Sequence, residues 1–389
     1  MLYRKDKYEN PISSLGFGCM RFTKKSSSID LEKAEREVLR ALDLGVNFFD
    51  TAYIYPGSEE ALGKIMAKNN LRDKILLSTK LPQYMVRSVS SAEKYLGTQL
   101  QRLQTDHIDY YFMHHITSMG QWTKLKDLGI EQWIEEKKQA GTLRQIGFSY
   151  HGNAEDFKAL VDAYPWDFCL IQLNYMDAET QAGVEGLRYA ASKGLPVFIM
   201  EPLRGGRLVN QLPPRAKELI SAEGQAASLA LRWLWNMPEV TCVLSGMNSL
   251  DMIEDNCNTA SLAAAGCLTE SESEIIEAVK KAIEKTWLVD CTACNYCMPC
   301  PKGVDIPALF TAYNRSALEK VSQVRHEYTQ TVGLRKEPAF ATQCIGCGAC
   351  ERVCPQHLPI IETLKKADSK VRPWYYRMGL NVARRFMKI

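Results

Sequence analysis

Eight short apolar runs alternate with longer segments of helical period between about residues 14 and 262, and this repetition is what most constrains the fold. Asp30 is a predicted N-cap of the first helical segment, and Gly45 is its predicted stop. A doubly wound sheet that binds a dinucleotide would carry an early GxGxxG turn, which the chain lacks. We therefore predict an α/β fold, a (β/α)8 TIM barrel, with strands at Leu15 to Met20, Asn47 to Ala52, Ile75 to Lys80, Ile108 to His114, Leu143 to Tyr150, Phe168 to Tyr175, Pro196 to Glu201 and Val240 to Met247.

Two cysteine runs near the C-terminus hold eight of the thirteen cysteines. The second run reads CxxCxxCxxxCP, the bacterial ferredoxin spacing, in which the fourth cysteine of each run binds the other cluster. The first run has one residue fewer before its last cysteine. We predict two [4Fe-4S] clusters, one bound by Cys291, Cys294, Cys297 and Cys354 and the other by Cys344, Cys347, Cys350 and Cys300.

Disulfides and structural zinc are the alternative interpretations of these runs. A disulfide framework is typical of short secreted chains, and zinc sites usually offer two separated CxxC pairs with four ligands in all. Neither explains a repeated triplet that ends in CysPro. The other five cysteines are scattered singly, as core residues are.

Length and charge limit the classes of protein to which the chain can belong. At 389 residues it exceeds one ordinary core, unless that core is a large barrel, so two domains are expected. A net charge of +3 is too small to indicate nucleic-acid binding, and no nucleic-acid motif occurs. The N-terminus has no signal-like apolar stretch and no later segment is long enough to cross a bilayer, so a cytoplasmic protein with a small-molecule substrate is expected.

Four ionisable residues fall at the ends of successive predicted strands, namely Asp50, Tyr55, Lys80 and His114. A phenol is a poor acid at neutral pH, but a neighbouring ammonium lowers its pKa and a carboxylate holds the ammonium. Tyr55 would then donate a proton, and an imidazole could orient a carbonyl group. Taken singly, each residue could serve as a cap, a surface group or a buried hydrogen bonder.

Residues 1 to about 285 resemble an aldo-keto reductase through the motifs GFGCMR, NFFDTAYIY, LSTK, YYFMH, IGFS, IQLNY, EPLRGGRL and EDN. The resemblance implies an NAD(P)H-dependent carbonyl reductase with Tyr55 as the general acid. His115 is a rival for the histidine role, and His114 is preferred because it follows the apolar YFM run. The cofactor contacts that the resemblance implies are Gly18, Met20, Arg21, Ser149, Gln172, Glu201, Leu203, Arg204, Gly206 and Asn256.

The chain departs from the family pattern around the expected cofactor. Tyr150 replaces an Asn that contacts the carboxamide, and Met200 replaces an aromatic ring that stacks on the nicotinamide. Gly246 and Met252 stand where cations usually bind the 2′-phosphate of NADPH, which weakens the case for NADPH. Arg204 and Arg207 could approach a pyrophosphate or a flavin phosphate, or could simply be solvated.

The residues that follow the barrel are expected to form two further segments. Residues 286–367 resemble a two-cluster ferredoxin of mainly helical type, because a helical segment follows each cysteine run. Residues 368–389 form a basic amphipathic tail, and from 365 onward eight Lys or Arg oppose one acid. Such a tail could contact an anionic membrane or an acidic partner, but a helix packed on the protein is favoured.

Together these features predict an oxidoreductase that couples carbonyl and alcohol chemistry to electron transfer through two clusters. Clusters move single electrons and nicotinamide moves a hydride, so a flavin, a redox partner protein or a radical-tolerant substrate is needed between them. The alternatives are a flavin-dependent electron-transfer enzyme and a cofactor-binding redox sensor that gates a partner.

Overall fold

A computed structural model describes residues 1–26, 28–221, 225–333, 337 and 339–378. The chain divides into two compact units: the first comprises Met1–Leu203 and Ala227–Glu272, and the second comprises Arg204–Ala226 and Ser273–Ile389. The second unit is therefore discontinuous in sequence. It includes a segment that lies wholly within the predicted barrel domain, residues 1–285.

The first unit contains a closed barrel of parallel strands, as the sequence predicts. Two short antiparallel pairs precede or interrupt the barrel strands and are numbered with them along the chain. The strands are β1 (Tyr3–Lys5), β2 (Pro11–Ser13), β3 (Leu15–Gly18), β4 (Lys24–Lys25), β5 (Ser28–Ile29), β6 (Phe48–Asp50), β7 (Leu76–Leu81), β8 (Ile108–Ile116), β9 (Leu143–Tyr150), β10 (Phe168–Gln172), β11 (Val197–Met200) and β12 (Val240–Ser245). The order around the barrel is β10-β11-β12-β3-β6-β7-β8-β9.

Helices fill the chain between the strands and make up most of the second unit. Asp30 caps the first of them as predicted, since its carboxylate accepts a hydrogen bond from the backbone N–H of Lys33 at 3.1 Å. The helices are α1 (Leu31–Asp43), α2 (Ser58–Asn69), α3 (Val89–Leu103), α4 (Met119–Asp127), α5 (Ile130–Gln139), α6 (Ala154–Asp162), α7 (Gly183–Ser192), α8 (Arg207–Asn210), α9 (Pro214–Ser221), α10 (Ala226–Trp235), α11 (Leu250–Leu262), α12 (Glu270–Glu284), α13 (Ile306–Leu318), α14 (Val321–Tyr328), α15 (Ala349–Arg352) and α16 (Ile360–Val371). Among the residues described, none of these helices has the length and apolar character to cross a membrane.

Alternation along the barrel strands produces two apolar layers. Phe48, Tyr110 and Phe112 belong to the cluster inside the barrel, while Phe49 and Tyr111 belong to the layer between strands and helices. All five are fully or almost fully buried. Both faces of a parallel barrel strand are covered, which explains why these strands read as continuous apolar runs.

The second unit is mainly helical, as expected, and its core joins the segments that follow the two cysteine runs. Asp305 caps α13, since its carboxylate accepts a hydrogen bond from Ala308 N at 3.2 Å. Helix α13 packs against α16, and both contribute to one apolar core that contains Val304, Ile306, Leu309, Phe310, Ile360, Leu364, Ala367 and Val371. Residues 374–378 continue in helical conformation, and the rest of the predicted amphipathic tail, 379–389, lies outside the described residues.

Candidate active site and cluster-binding loops

The four predicted catalytic side chains meet at one rim of the barrel. Asp50 ends β6, Lys80 lies in β7, His114 lies in β8 and Tyr55 lies in the loop between β6 and α2. The carboxyl ends of parallel barrel strands share one rim, so residues distant in sequence converge there. The structure brings all four together.

Asp50 and Lys80 form a buried ion pair. The Nζ atom of Lys80 is 2.6 Å from both carboxylate oxygens of Asp50 and donates a third hydrogen bond to the carbonyl oxygen of Thr51 at 2.7 Å. The hydroxyl of Ser78 also donates to Asp50, at 2.7 Å. Burial lowers the pKa of Lys80, and the Asp50 carboxylate opposes that fall. These added hydrogen bonds offset the large desolvation cost of a buried pair.

Tyr55 lies beside this pair. The Nζ atom of Lys80 is 5.1 Å from the centroid of the Tyr55 ring. Burial raises the pKa of the Tyr55 phenol well above its ordinary value, and Asp50 and Glu201 raise it further. Burial is the largest cause of this rise. Tyr55 therefore holds its proton at neutral pH. The expected acidifying effect of Lys80 on the phenol stays a prediction.

His114 is the imidazole that faces Tyr55. The two rings meet edge to face with centroids 6.1 Å apart. Burial lowers the pKa of His114 well below its ordinary value, and the charges of Lys80, His115 and His151 act in the same direction. A neutral imidazole can donate a hydrogen bond to a carbonyl oxygen without adding a charge to the site.

His115, the rival candidate, turns another way at an irregularity in β8. Its φ is +59°, and the register with β9 shifts between Met113 and Ile116. Its backbone N–H donates to the hydroxyl of Ser149 at 2.7 Å. The His115 ring packs against the ring of His151 with centroids 4.9 Å apart. The edge-to-face contact with Tyr55 is thus made by His114.

A buried hydrogen-bond chain runs from His151 behind the rim. Nδ1 of His151 lies 3.2 Å from Oε1 of Gln181, and the Gln181 amide donates to Oε1 of Gln172 at 2.5 Å. The Gln172 amide then donates to Asp177 at 2.8 Å, and so does the Asn174 amide at 2.9 Å. These hydrogen bonds fix the orientation of the Gln172 side-chain amide.

Sequence reasoning did not single out His151 or Gln181. The available signal was position: His151 directly follows the last residue of β9, at the rim where functional side chains collect. Gln181 lies in a loop without a motif, and only the fold brings it to Gln172.

Several of the residues that are predicted to contact the cofactor lie near β3 and α11. Gly18 ends β3, and a Cβ there would lie 3.3 Å from the carbonyl oxygen of Ser245. Asn256 in α11 is buried, and its amide donates to the hydroxyl of Ser245 at 3.3 Å. Met20 is 39% exposed in the turn after β3. These residues line one stretch of the rim.

Arg21 covers the uncharged position 246. A Cβ built on Gly246 would lie only 2.6 Å from Cγ of Arg21, so the arginine occupies the space that a side chain would take. Arg21 is also close enough to Tyr55 to oppose the rise in its pKa. The aliphatic part of the Arg21 side chain therefore packs against this loop, in which neither Gly246 nor the exposed Met252 carries a charge.

The structure shows the contacts of two residues that depart from the family pattern, Tyr150 and Met200. The Tyr150 hydroxyl donates to the carbonyl oxygen of Asn153 at 2.6 Å, so it does not replace the missing Asn side chain at the rim. Met200 ends β11 and packs against the apolar cluster inside the barrel. Glu201 follows with φ of +55°, and Leu203 packs on the outer apolar layer.

Arg204 and Gly206 belong to the second unit. Arg204 pairs with Asp290 at 3.2 Å, and Gly206 has φ of +91° at the start of α8. The predicted role of these two residues in cofactor binding stays a prediction.

Two cavities in the second unit are lined by the eight cysteines of the runs. One is lined by Cys291, Cys294, Cys297 and Cys354, and the other by Cys300, Cys344, Cys347 and Cys350, with Cys297 on its edge. The last cysteine of each run thus lies with the first three of the other. Among the described residues, no three His, Cys, Asp or Glu side chains converge on a point as a single metal ion requires.

The two cysteine loops repeat one backbone pattern. Ala293 and Gly346 occupy equivalent places, with φ of +54° and +71°, as do Asn295 and Gly348, with φ of +66° and +70°. The N–H of Ala293 points to Sγ of Cys291 at 3.4 Å, and the N–H of Gly346 points to Sγ of Cys344 at 3.4 Å. Backbone donors aimed at cysteine sulfurs suit thiolate ligands of iron–sulfur clusters.

Two family models match consecutive parts of the chain. The aldo/keto reductase family model matches residues 14–281, and the 4Fe-4S dicluster domain model matches residues 290–358. The first match ends near the end of α12, and the second spans both cysteine runs.

Curated relatives and solved structures agree with the first match. L-galactose dehydrogenase of Arabidopsis thaliana is 30% identical over 301 residues, covering 71% of this chain and 93% of that protein. The uncharacterized oxidoreductase YrpG of Bacillus subtilis is 27% identical over 299 residues, covering 65% of this chain and 88% of that protein.

Among solved structures, the holo form of an aldo-keto reductase from Bacillus halodurans gives a TM-score of 0.60 at 26% identity, covering 72% of this chain and 97% of that chain. An aldo/keto reductase from Klebsiella pneumoniae, solved with NADP and acetate, gives a TM-score of 0.58 at 21% identity, covering 71% of this chain and 94% of that chain. At this identity, the likeness bears on the fold alone. The rim chemistry, the barrel and these matches lead to one conclusion: the chain belongs to the aldo/keto reductase family and carries a 4Fe-4S dicluster domain after its barrel.

Proposed function

We propose that the barrel reduces a carbonyl compound with NAD(P)H, and that the second unit binds two [4Fe-4S] clusters that exchange single electrons with a redox partner protein. The observation that carries this proposal is the buried Asp50–Lys80 pair beside a protonated Tyr55 and a neutral His114. Tyr55 would donate a proton to a developing alkoxide, and the other three groups would support that transfer.

The roles of the four residues follow from their charges. NAD(P)H, when bound, would supply a hydride for the carbonyl carbon. Tyr55 gives its proton to the carbonyl oxygen, and solvent later returns one to it. Lys80 stabilises the phenolate that this transfer leaves, because its ammonium is 5.1 Å from the ring. Asp50 holds Lys80 in place, and His114 orients the carbonyl by a hydrogen bond.

The cofactor contacts are proposed at the rim of the barrel. Ser149 and Gln172 offer a hydroxyl and an amide at the ends of β9 and β10, which suit a neutral carboxamide. Arg21 offers the cation for a phosphate group, and Gly18 and Asn256 line the same stretch. The match of the barrel to the aldo/keto reductase family supports a dinucleotide rather than a flavin.

The two units differ in the number of electrons that they move. A hydride carries two electrons and each cluster carries one. We infer that a redox-active group on the partner protein, such as a flavin, links the two-electron step to the one-electron steps. The clusters then transfer single electrons to or from that partner.

The test of the proposed reduction is Tyr55→Phe against a matched Tyr53→Phe control. Tyr53 lies in the same loop but stacks on Arg102, with the guanidinium 4.6 Å from the ring. With anaerobic protein, NAD(P)H and a panel of aldehydes and ketones, Tyr55→Phe should slow single-turnover reduction by about a hundredfold to ten-thousandfold. Dinucleotide binding should survive, and Tyr53→Phe should stay near the wild-type rate. Equal rates for wild type and Tyr55→Phe would assign the proton to another group.

A further inference from the structure

Two buried arginines in the second unit come from the segment that follows β11. The chain from Arg204 to Ala226 is grouped with the cysteine-bearing unit rather than with the barrel. Arg204 is 3% exposed and Arg207 is 4% exposed. Burial of arginine is costly unless its charge is answered, so the surroundings of these two side chains indicate what they do.

Both arginines contact the start of the first cysteine loop. Arg207 stacks on the Trp287 ring, with 3.6 Å between the guanidinium and the ring centroid, and donates a hydrogen bond to the carbonyl oxygen of Cys291. Arg204 pairs with Asp290 at 3.2 Å. The Trp287 indole is held in turn by its N–H, which donates to the carbonyl oxygen of Gln211 at 3.0 Å. The carboxylate of Asp290, which pairs with the buried Arg204, is itself 62% exposed at the side chain.

The second cysteine loop has cations in a different setting. Arg352 donates to the carbonyl oxygen of Cys347 at 3.3 Å, the same kind of contact that Arg207 makes with Cys291. Lys302 lines the cavity of that loop. Both Arg352 and Lys302 are exposed to solvent. Water screens an exposed charge far more than a buried one, so similar contacts differ in electrostatic effect.

We propose that Arg204 and Arg207 are positioning residues that fix the first cysteine loop and make its cluster the higher in midpoint potential of the two. A cluster gains one negative charge when it accepts an electron, and a buried cation stabilises that charge. Charge and hydrogen bonding around the sulfurs are the means by which a protein sets cluster potential. This inference rests on the proposed binding of two clusters. It implies that electrons pass from the second cluster to the first, which has the higher midpoint potential.

The experiment is an anaerobic potentiometric titration followed by electron paramagnetic resonance, with dithionite as the reductant. Arg207→Gln should lower one midpoint potential and leave the other unchanged. Arg207→Lys, which keeps the charge, should recover most of the shift. Arg352→Gln is the matched control, because it removes the equivalent contact from the exposed side, and it should move neither potential appreciably. Cys347→Ser assigns the affected signal to the first cluster.

Arg204→Gln provides a second route if Arg207→Gln loses iron. It removes a buried charge but leaves the bond from Arg207 to Cys291, and it should lower the same potential. The proposal is overturned if neither arginine variant shifts a potential more than Arg352→Gln does, or if both clusters shift alike. Wild-type protein without iron would overturn the cluster assignment together with this inference, so iron analysis separates the two failures.

Discussion

At the scale of single residues, the candidate active site contains a buried ion pair. Lys80 is 2% exposed, and both oxygens of Asp50 are within 2.6 Å of its Nζ atom. Removal of one partner leaves the other charge buried without its counterion. Such a loss typically costs about 3–5 kcal/mol of the free energy of unfolding.

We expect Lys80→Met to destabilise the barrel by about this amount and to abolish carbonyl reduction. The double variant Asp50→Leu with Lys80→Met should regain most of the stability and none of the activity, because no buried charge remains. Urea unfolding of the single and double variants measures the coupling between the two positions. A double variant no more stable than Lys80→Met alone would show that the pair is not what the single change breaks.

The choice of dinucleotide also belongs to single residues. Gly246 and the exposed Met252 carry no charge for a 2′-phosphate, while Arg21 covers Gly246. A charge-assisted phosphate contact contributes about 1.5–3 kcal/mol, roughly a tenfold to hundredfold preference. We expect NADH and NADPH to bind within about tenfold of each other at one salt concentration.

Arg21→Gln should weaken both dinucleotides alike, as loss of a pyrophosphate contact would. Fluorescence titration of both cofactors against both proteins gives the comparison. Loss of NADPH binding alone would show instead that Arg21 selects the 2′-phosphate.

The residues of the candidate active site could be predicted from the sequence where residue type and spacing within a motif were enough to identify them. Each of the four residues lies in a family motif, and the barrel brings them together at one rim: Asp50, Tyr55, Lys80 and His114. The sign of the Tyr55 pKa shift was not predictable, because it depends first on how deeply the phenol is buried and then on the nearby charge of Asp50. His151 escaped notice for a related reason: its partner Gln181 is 30 residues away in sequence.

At the scale of elements, the two cysteine loops share a backbone but not a sequence. Ala293 adopts φ of +54° where the second loop has Gly346 at +71°. A Cβ at position 346 would meet nothing within 4 Å. The second loop should therefore accept the alanine that the first already has, at the usual cost of about 1–2 kcal/mol for a left-handed residue.

We expect Gly346→Ala to keep its full iron content and Gly346→Val to lose iron from one cluster, since a β-branched residue resists positive φ. Iron analysis and thermal unfolding of both variants check this. Full iron in the valine variant would mean that the loop does not need its left-handed residue.

Strand and helix assignments were predictable because hydrophobic period and caps are local. All eight barrel strands were expected, and β9 has the predicted bounds. The ends of others differ: β10 stops at Gln172 rather than Tyr175, and β8 continues to Ile116. These ends are set by pairing with neighbouring strands, as the shift in register after Met113 shows.

At the scale of the whole molecule, the cysteine grouping predicts how iron is lost. We expect wild-type protein to hold about eight iron and eight sulfide per chain, and Cys347→Ser to hold about half. Cys169→Ser is the control, because Cys169 is buried in β10 of the barrel. Metal analysis that found mainly zinc, or equal iron in both variants, would contradict the assignment.

The predicted boundary at residue 285 treats the chain as two consecutive domains, yet the second unit also contains Arg204–Ala226. No composition shift marks that segment, since its arginines and glycines resemble a family loop. Contacts such as those of Arg204 with Asp290 and of Arg207 with Cys291 show where it belongs.

This interleaving affects how the two activities could have been joined. A gene fusion that merely appended a ferredoxin to a finished reductase would leave two halves that separate at a single cut. Here a cut near residue 285 would strip Arg204 and Arg207 of Asp290 and Cys291, and would leave two buried cations facing water. The loop and the cysteine module therefore depend on each other's contacts, and neither half is expected to keep these contacts when the chain is divided at that point.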